Sequence, residues 1–345
     1  MDKNVEKLSS LKLRTQKEIL DSWNCSDEST PTPLVSINCI TYNHEKYIED
    51  AIVGFLKQET DFPFEILIND DASTDGTSDI IRKYEERYPA IIKACYHQDN
   101  KYSKGFSPSY FNLDRAKGYY FATCVGDDYW ISKTHLQDAI CCMEKDKNLS
   151  IYGSACYLQR PTETKVYKYS KNYYNLSSFI IEAPFVPTCS LVVKTSNYRK
   201  IQELFVLGGR YFAGDTRLKL LSLTQGCMYI NNNPSVVYRN GVEGSWTNRA
   251  INKEVVFQEL LDNIAITREV KHFSEYDDID ALLKRVQKEY IIKYASIAGL
   301  HGNYTWLKFV VLHLKSLSKD TRKSVISYNP IIKKLLRLKK KYHKS

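Results

Sequence analysis

The sequence predicts an α/β fold, a largely parallel sheet with helices on both faces, followed by a mostly helical C-terminal region. Two observations carry this expectation. Between residues 34 and 124, short runs of β-branched and aromatic residues alternate with segments whose apolar residues recur every three to four positions. That order makes successive strands parallel, because each returns to the sheet through a crossover helix. From about residue 252 onward the helical period dominates.

Taken in order, residues 1–30 read as a polar helical extension and a loop, punctuated by Pro31 and Pro33. Residues 34–40 form a first apolar strand. A helix over 45–58 places Ile48, Ala51, Ile52, Phe55 and Leu56 on one stripe. Residues 64–69 form a second strand. The turn-rich Ser73-Thr74-Asp75-Gly76 opens a helix over 77–88. A third strand (91–96), a helix near 109–117 and a fourth strand (119–124) complete the series. Beyond residue 133 the expectation is a helix over 135–145, strands near 150–158 and 190–194, a polar, Tyr-rich stretch over 162–177, a helix over 215–224 and a strand pair around 227–238. The domain boundaries expected are 1–30, a main domain over 31–250 with halves at about 33–133 and 134–250, and a helical region over 251–345.

The chain has 345 residues and a formal net charge of +9, long enough for a sizeable core. Residues 331–345 hold seven Lys/Arg and no acid, which leaves 42 basic against 40 acidic residues elsewhere. A nearly neutral body with a basic tail argues against a nucleic-acid-coating protein. The nine cysteines include no paired CxxC spacing, so reduced thiols in a reducing compartment are expected. The N-terminus has no apolar signal core, and no apolar run approaches a membrane span. A cytoplasmic protein, peripheral at most to the inner face of the cytoplasmic membrane, is the expectation.

In an open parallel sheet, ligands bind beyond the C-terminal ends of the strands. The first strand is followed by Thr41-Tyr42-Asn43-His44, the second by Asp70 through Thr77, and the fourth by Gly126-Asp127-Asp128-Tyr129-Trp130. Neither a dinucleotide-binding glycine fingerprint nor a P-loop occurs there. Clustered carboxylates repel one another unless a cation joins them, and hard divalent cations bridge carboxylates to phosphates. Mg2+ or Mn2+ on Asp127-Asp128, set against a diphosphate, would satisfy both. The Asp70–Asp75 cluster reads equally as a turn, since Asp, Ser and Gly are turn residues. Asp215 reads equally as a helix cap. His44 and His97 read as exposed loop residues, Trp130 and Trp246 either as stacking platforms or as packed aromatics.

Several stretches, in order, resemble family 2 glycosyltransferases of the GT-A fold: 36–43 (SINCITYN), 69–77 (NDDASTDGT), 118–122 (GYYFA), 126–130 (GDDYW), 187–194 (PTCSLVVK), 214–226 (GDTRLKLLSLTQG) and 238–246 (YRNGVEGSW). The resemblance implies a Rossmann-like mixed sheet and an inverting transfer from a nucleotide-diphosphate sugar to a glycan or lipid-linked acceptor, as in bacterial surface polysaccharide synthesis. It implies that Thr41 and Asn43 line the nucleoside pocket, that Asp70 or Asp71 contacts base or ribose, that Asp127 and Asp128 bind the metal beside the donor, and that Asp215 is the general base. Two positions depart. Val125 stands where many relatives carry an acid, and Gly241 where relatives often carry His. With the second departure, that contact to the diphosphate is either absent or supplied by Arg239 or Trp246.

Two further classes remain open on the residues: a metal-dependent nucleotidyltransferase, and a non-catalytic glycan- or nucleotide-binding scaffold. In the tail, Ile331, Ile332, Leu335, Leu336 and Leu338 share a helical face ringed by Lys and Arg. That pattern suits either an anionic membrane surface or a helix packed on the body.

Overall fold

The computed structural model describes residues 12–23, 31–206 and 214–242, together with Ile266 and Val270. The chain divides into two compact units, Met1–Arg210 with Arg217–Asn248, and Tyr211–Thr216 with Arg249–Ser345. The expected helical region 251–345, its basic tail and Trp246 lie outside the described residues, apart from Ile266 and Val270, which are buried.

The first unit is built on one sheet. Its strands are β1 (Val35–Thr41), β2 (Phe64–Asp70), β3 (Ile92–Tyr96), β4 (Tyr120–Thr123), β5 (Tyr129–Trp130), β6 (Leu149–Gln159), β7 (Thr164–Tyr167), β8 (Tyr173–Tyr174), β9 (Val192–Lys194) and β10 (Cys227–Arg239). Their order is β3-β2-β1-β4-β9-β6-β10-β5, with β7 added on β6 and β8 on β10. The first four are parallel, as the alternating sequence requires. β9 then runs antiparallel to both β4 and β6, and β5 antiparallel to β10, so the sheet is mixed. β2 is buried along its whole length, the signature of a strand covered on both faces.

The helices are α1 (Gln16–Asp21), α2 (Ile48–Leu56), α3 (Thr77–Arg87), α4 (Pro108–Arg115), α5 (His135–Lys145), α6 (Leu176–Glu182), α7 (Thr195–Val206) and α8 (Gly214–Leu223). Three of them show a local cause. α2 buries Ile48, Ala51, Ile52, Phe55 and Leu56, the stripe expected of it. α4 opens with Pro108, whose missing N–H is harmless in a first turn. α1 carries a reciprocal capping box between Thr15 and Glu18 and seals the body with Ile19, while Trp23 meets Phe64 edge to face at 5.1 Å.

Three segments differ from the sequence expectation. Residues 227–238 form one strand, not a pair, because β10 stays beside β6 throughout. Its register shifts between Asn231 and Val236, around Pro234, which has no N–H to donate to a ladder. The Tyr-rich stretch contributes β7, β8 and the start of α6, with Tyr169 and Tyr174 buried. His44 is buried, not an exposed loop residue.

α2 lies flush on β5. A Cβ built on Gly54 would stand 2.6 Å from the Trp130 carbonyl oxygen, closer than van der Waals contact allows. Gly54→Ala therefore forces α2 and β5 apart and is expected to lower stability by about 1–3 kcal/mol. Thermal unfolding checks this, and an unchanged midpoint would contradict the close approach.

Candidate active site

β1, β2 and β4 end side by side, and the loops that leave them interlock. Asn43 and Ala72 both adopt left-handed backbone, with φ of 55° and 63°. Such conformations cost a non-glycine residue about 1–2 kcal/mol, so local bonds must hold them. Those bonds are present. The Asn43 N–H donates to Ser73 Oγ at 2.9 Å, and its Oδ1 accepts from the Thr74 N–H at 2.8 Å. The Asp71 N–H donates to the Thr41 carbonyl at 3.0 Å, and the His44 N–H to Thr77 Oγ1 at 2.8 Å.

The Asp70–Asp75 cluster is consumed by this network. Asp70, 1% exposed, accepts from the Ser73 N–H, Ser73 Oγ and Ser78 Oγ. Asp71, 2% exposed, accepts from the N–H groups of Lys101 at 2.6 Å and Tyr102 at 3.0 Å. Asp75 accepts from Thr77 and from the Glu45 N–H, and these bonds hold its carboxyl below the usual carboxylate range despite desolvation. Thus the turn reading describes the bonds these carboxylates make, at the edge where Thr41 and Asn43 also lie.

The second acidic cluster is a turn between β4 and β5. The Gly126 N–H donates to the Ile40 carbonyl at 2.9 Å, and the Asp128 N–H to the Val125 carbonyl at 3.0 Å. Gly126 has no room for a side chain: a Cβ there would lie 2.8 Å from Thr41 Oγ1 and 3.0 Å from His44 Nδ1. The turn therefore rests directly on the end of β1.

Its two carboxylates have opposite environments. Asp128 is 3% exposed, accepts from the Arg239 N–H through Oδ1 at 2.8 Å, and has the Cys189 thiol against it. Burial, then the neighbouring Asp127, push its carboxyl well above the usual range. Asp127 is half-buried, and its carboxylate accepts no hydrogen bond and joins no ion pair among the described residues.

Arg239, at the end of β10, fastens this turn. Beyond its N–H bond to Asp128, its Nη1 donates to the Asp127 carbonyl at 2.9 Å, and its Nη2 pairs with Asp50 Oδ2 of α2 at 2.5 Å. The guanidinium lies over the Tyr129 ring at 4.3 Å and the Tyr47 ring at 5.2 Å. An open cavity of about 540 Å³ lies against it, lined in part by Tyr47, Gln159, Arg160, Thr162 and Asn240.

Of the residues expected from sequence, the structure brings Thr41, Asp127, Asp128 and Arg239 to one edge, with Asn43, Asp70 and Asp71 in the adjoining loops. Trp130 is packed, 1% exposed, with its indole N–H on the Cys189 carbonyl at 2.7 Å. Asp215 is exposed in the first turn of α8 and belongs to the second unit. Asp50, Tyr47 and Cys189 escaped the sequence reading. The one available signal was Asp50 itself, an acid standing immediately before the apolar run Ala51-Ile52-Val53.

The donor set fits a divalent cation in one way. No group of three metal-ligating side chains occurs among the described residues. Asp128 is buried and already bonded, which leaves Asp127 as the free carboxylate. A hard cation held there would complete its coordination with phosphate oxygens and water. No helix among the described residues is long and apolar enough to cross a membrane.

Known proteins share parts of this sequence and this fold. The sequence model of Glycosyl transferase family 2 matches residues 36–199. An uncharacterised Mycobacterium bovis protein is 42% identical over 107 residues, 31% of this chain and 30% of its own length. The Escherichia coli UDP-Glc:alpha-D-GlcNAc-diphosphoundecaprenol beta-1,3-glucosyltransferase WfaP is 37% identical over 122 residues, 35% of this chain and 45% of its own length. The matched stretch thus spans less than half of either relative. The structure of Staphylococcus aureus TarS with UDP-GlcNAc superposes with a TM-score of 0.65 at 17% identity, over 88% of this chain and 91% of that one. The fold is GT-A, and residues 36–199 are similar to glycosyl transferase family 2.

Proposed function

We propose that the chain is an inverting glycosyltransferase that moves a sugar from a nucleotide-diphosphate donor to a hydroxyl of a glycan or lipid-linked acceptor, in bacterial surface polysaccharide synthesis. The observation that carries this is the Asp127 carboxylate, without a hydrogen bond or ion pair among the described residues, on a turn braced at the strand ends of a GT-A fold. The donor class is supported by the UDP-GlcNAc held by TarS, and a lipid-linked acceptor by the diphosphoundecaprenol substrate in the name of WfaP.

In this reading Thr41 and Asn43 line the nucleoside pocket. Asp70 and Asp71 shape it through the loops they hold. Asp127 holds Mg2+ or Mn2+, which neutralises charge on the departing diphosphate when bound. Asp128 fixes the turn from beneath, and Arg239 anchors the same turn beside the diphosphate. Asp215 takes the proton from the attacking acceptor hydroxyl. One base and one cation suffice for direct displacement, with no enzyme nucleophile. Trp246 remains a proposed donor contact.

Thermal-shift and turnover measurements with a panel of nucleotide sugars, with and without Mn2+, test the assignment. At least one donor is expected to bind and turn over, more strongly with the cation. Asp215→Asn should keep donor binding and lose turnover by about a hundredfold or more. Binding without turnover by the wild type would point to a scaffold, and near-normal turnover by Asp215→Asn would remove the base assignment.

The basic amphipathic tail, 331–345, is the proposed contact with an anionic membrane, where a lipid-linked acceptor would reside. Full-length protein should float with anionic liposomes more strongly than a chain ending at residue 329. Equal flotation would contradict the membrane role.

A further inference from the structure

Asp50 has no part in the chemistry above, yet it is the counter-charge of Arg239, the arginine that touches the acidic turn among the described residues. The Asp50–Arg239 pair closes at 2.5 Å between side chains only 12% and 13% exposed. Screening by water is weak there, so the pair is held firmly and neither charge is readily left alone. Two aromatic rings, of Tyr129 and Tyr47, further confine the guanidinium.

What that guanidinium avoids is as informative as what it binds. Its Nη1 donates to the main-chain carbonyl of Asp127 at 2.9 Å, yet it forms no ion pair with the carboxylate of the same residue. A residue's carboxylate lies a short reach from its own carbonyl. Arg239 is thus, among the described residues, a cation placed to compete for the Asp127 carboxylate, and Asp50 is what occupies it.

We propose that Asp50 is a positioning residue: by holding the Arg239 guanidinium, it keeps that cation off the Asp127 carboxylate and leaves Asp127 free to take a divalent metal. The proposal rests on the reading of Asp127 as the metal-holding group. It assigns Asp50, on α2, an electrostatic role toward the acidic turn, distinct from the favourable placing of an acid in a helix's first turn. Without that charge, the Asp127 carboxylate, on the residue whose carbonyl Nη1 already holds, becomes a counter-charge for the uncompensated guanidinium.

The test uses full-length protein, Mn2+ binding followed by water-proton relaxation, and UDP, GDP and dTDP supplied in parallel. Asp50→Asn, close to isosteric, is expected to weaken Mn2+ binding about tenfold or more while circular dichroism stays unchanged. The double variant Asp50→Asn/Arg239→Gln removes the competitor as well and should bind Mn2+ more tightly than Asp50→Asn. A merely structural Asp50 predicts the reverse order, because the double variant loses the brace too. A wild type that binds Mn2+ while Asp50→Asn binds it equally, or a double variant weaker than the single, overturns this inference alone. A wild type that takes up no Mn2+ with any of the three nucleotides overturns the metal reading, and this inference with it.

Discussion

The bond from the Arg239 N–H to the buried Asp128 carboxylate organises the site. β5 is only two residues long and pairs with β10 through Val236 and Val237. That pairing brings the end of β10 beside the β4–β5 turn, and the Asp128 bond locks the two together. The Arg239 side chain then reaches the Asp127 carbonyl and, on the far side, α2. One residue thus ties the last strand, the acidic turn and the second helix. Remove the Asp128 acceptor and a part-buried N–H is left without its bond, a loss of about 1 kcal/mol.

The acids at the strand ends sort by how they are satisfied. Asp70, Asp71 and Asp128 are buried, and each accepts from main-chain N–H groups. Such bonds make a buried carboxylate tolerable and give each loop a single conformation. They also bear the strain of Asn43 and Ala72, both left-handed and both within the interlocked loops. Asp127 stands apart: its carbonyl is bonded, and its carboxylate has no partner among the described residues.

Much of this was legible in the sequence, for physical reasons. The strands from β1 to β4 are short apolar runs between helical segments, and βαβ order leaves little choice of topology. Clustered acids after strands marked the edge where Asp127 sits. What stayed hidden depends on contacts distant in sequence. Arg239 and Asp50 lie 189 positions apart, and no local pattern pairs them. The burial of His44 follows from the Gly126 turn resting on Thr41, a tertiary fact. Asp127 and Asp128 look alike in sequence because only β10 distinguishes them. The irregularity around Pro234 made one strand look like two.

The central claim is that adjacent carboxylates divide the work, Asp128 fixing the turn and Asp127 meeting the cation. Comparing Asp127→Asn with Asp128→Asn by thermal unfolding and by Mn2+ binding in the presence of nucleotide tests it most directly. The account predicts that Asp127→Asn keeps the wild-type unfolding midpoint and loses Mn2+, whereas Asp128→Asn unfolds at lower temperature. Equal loss of Mn2+ by both variants with neither destabilised would contradict it.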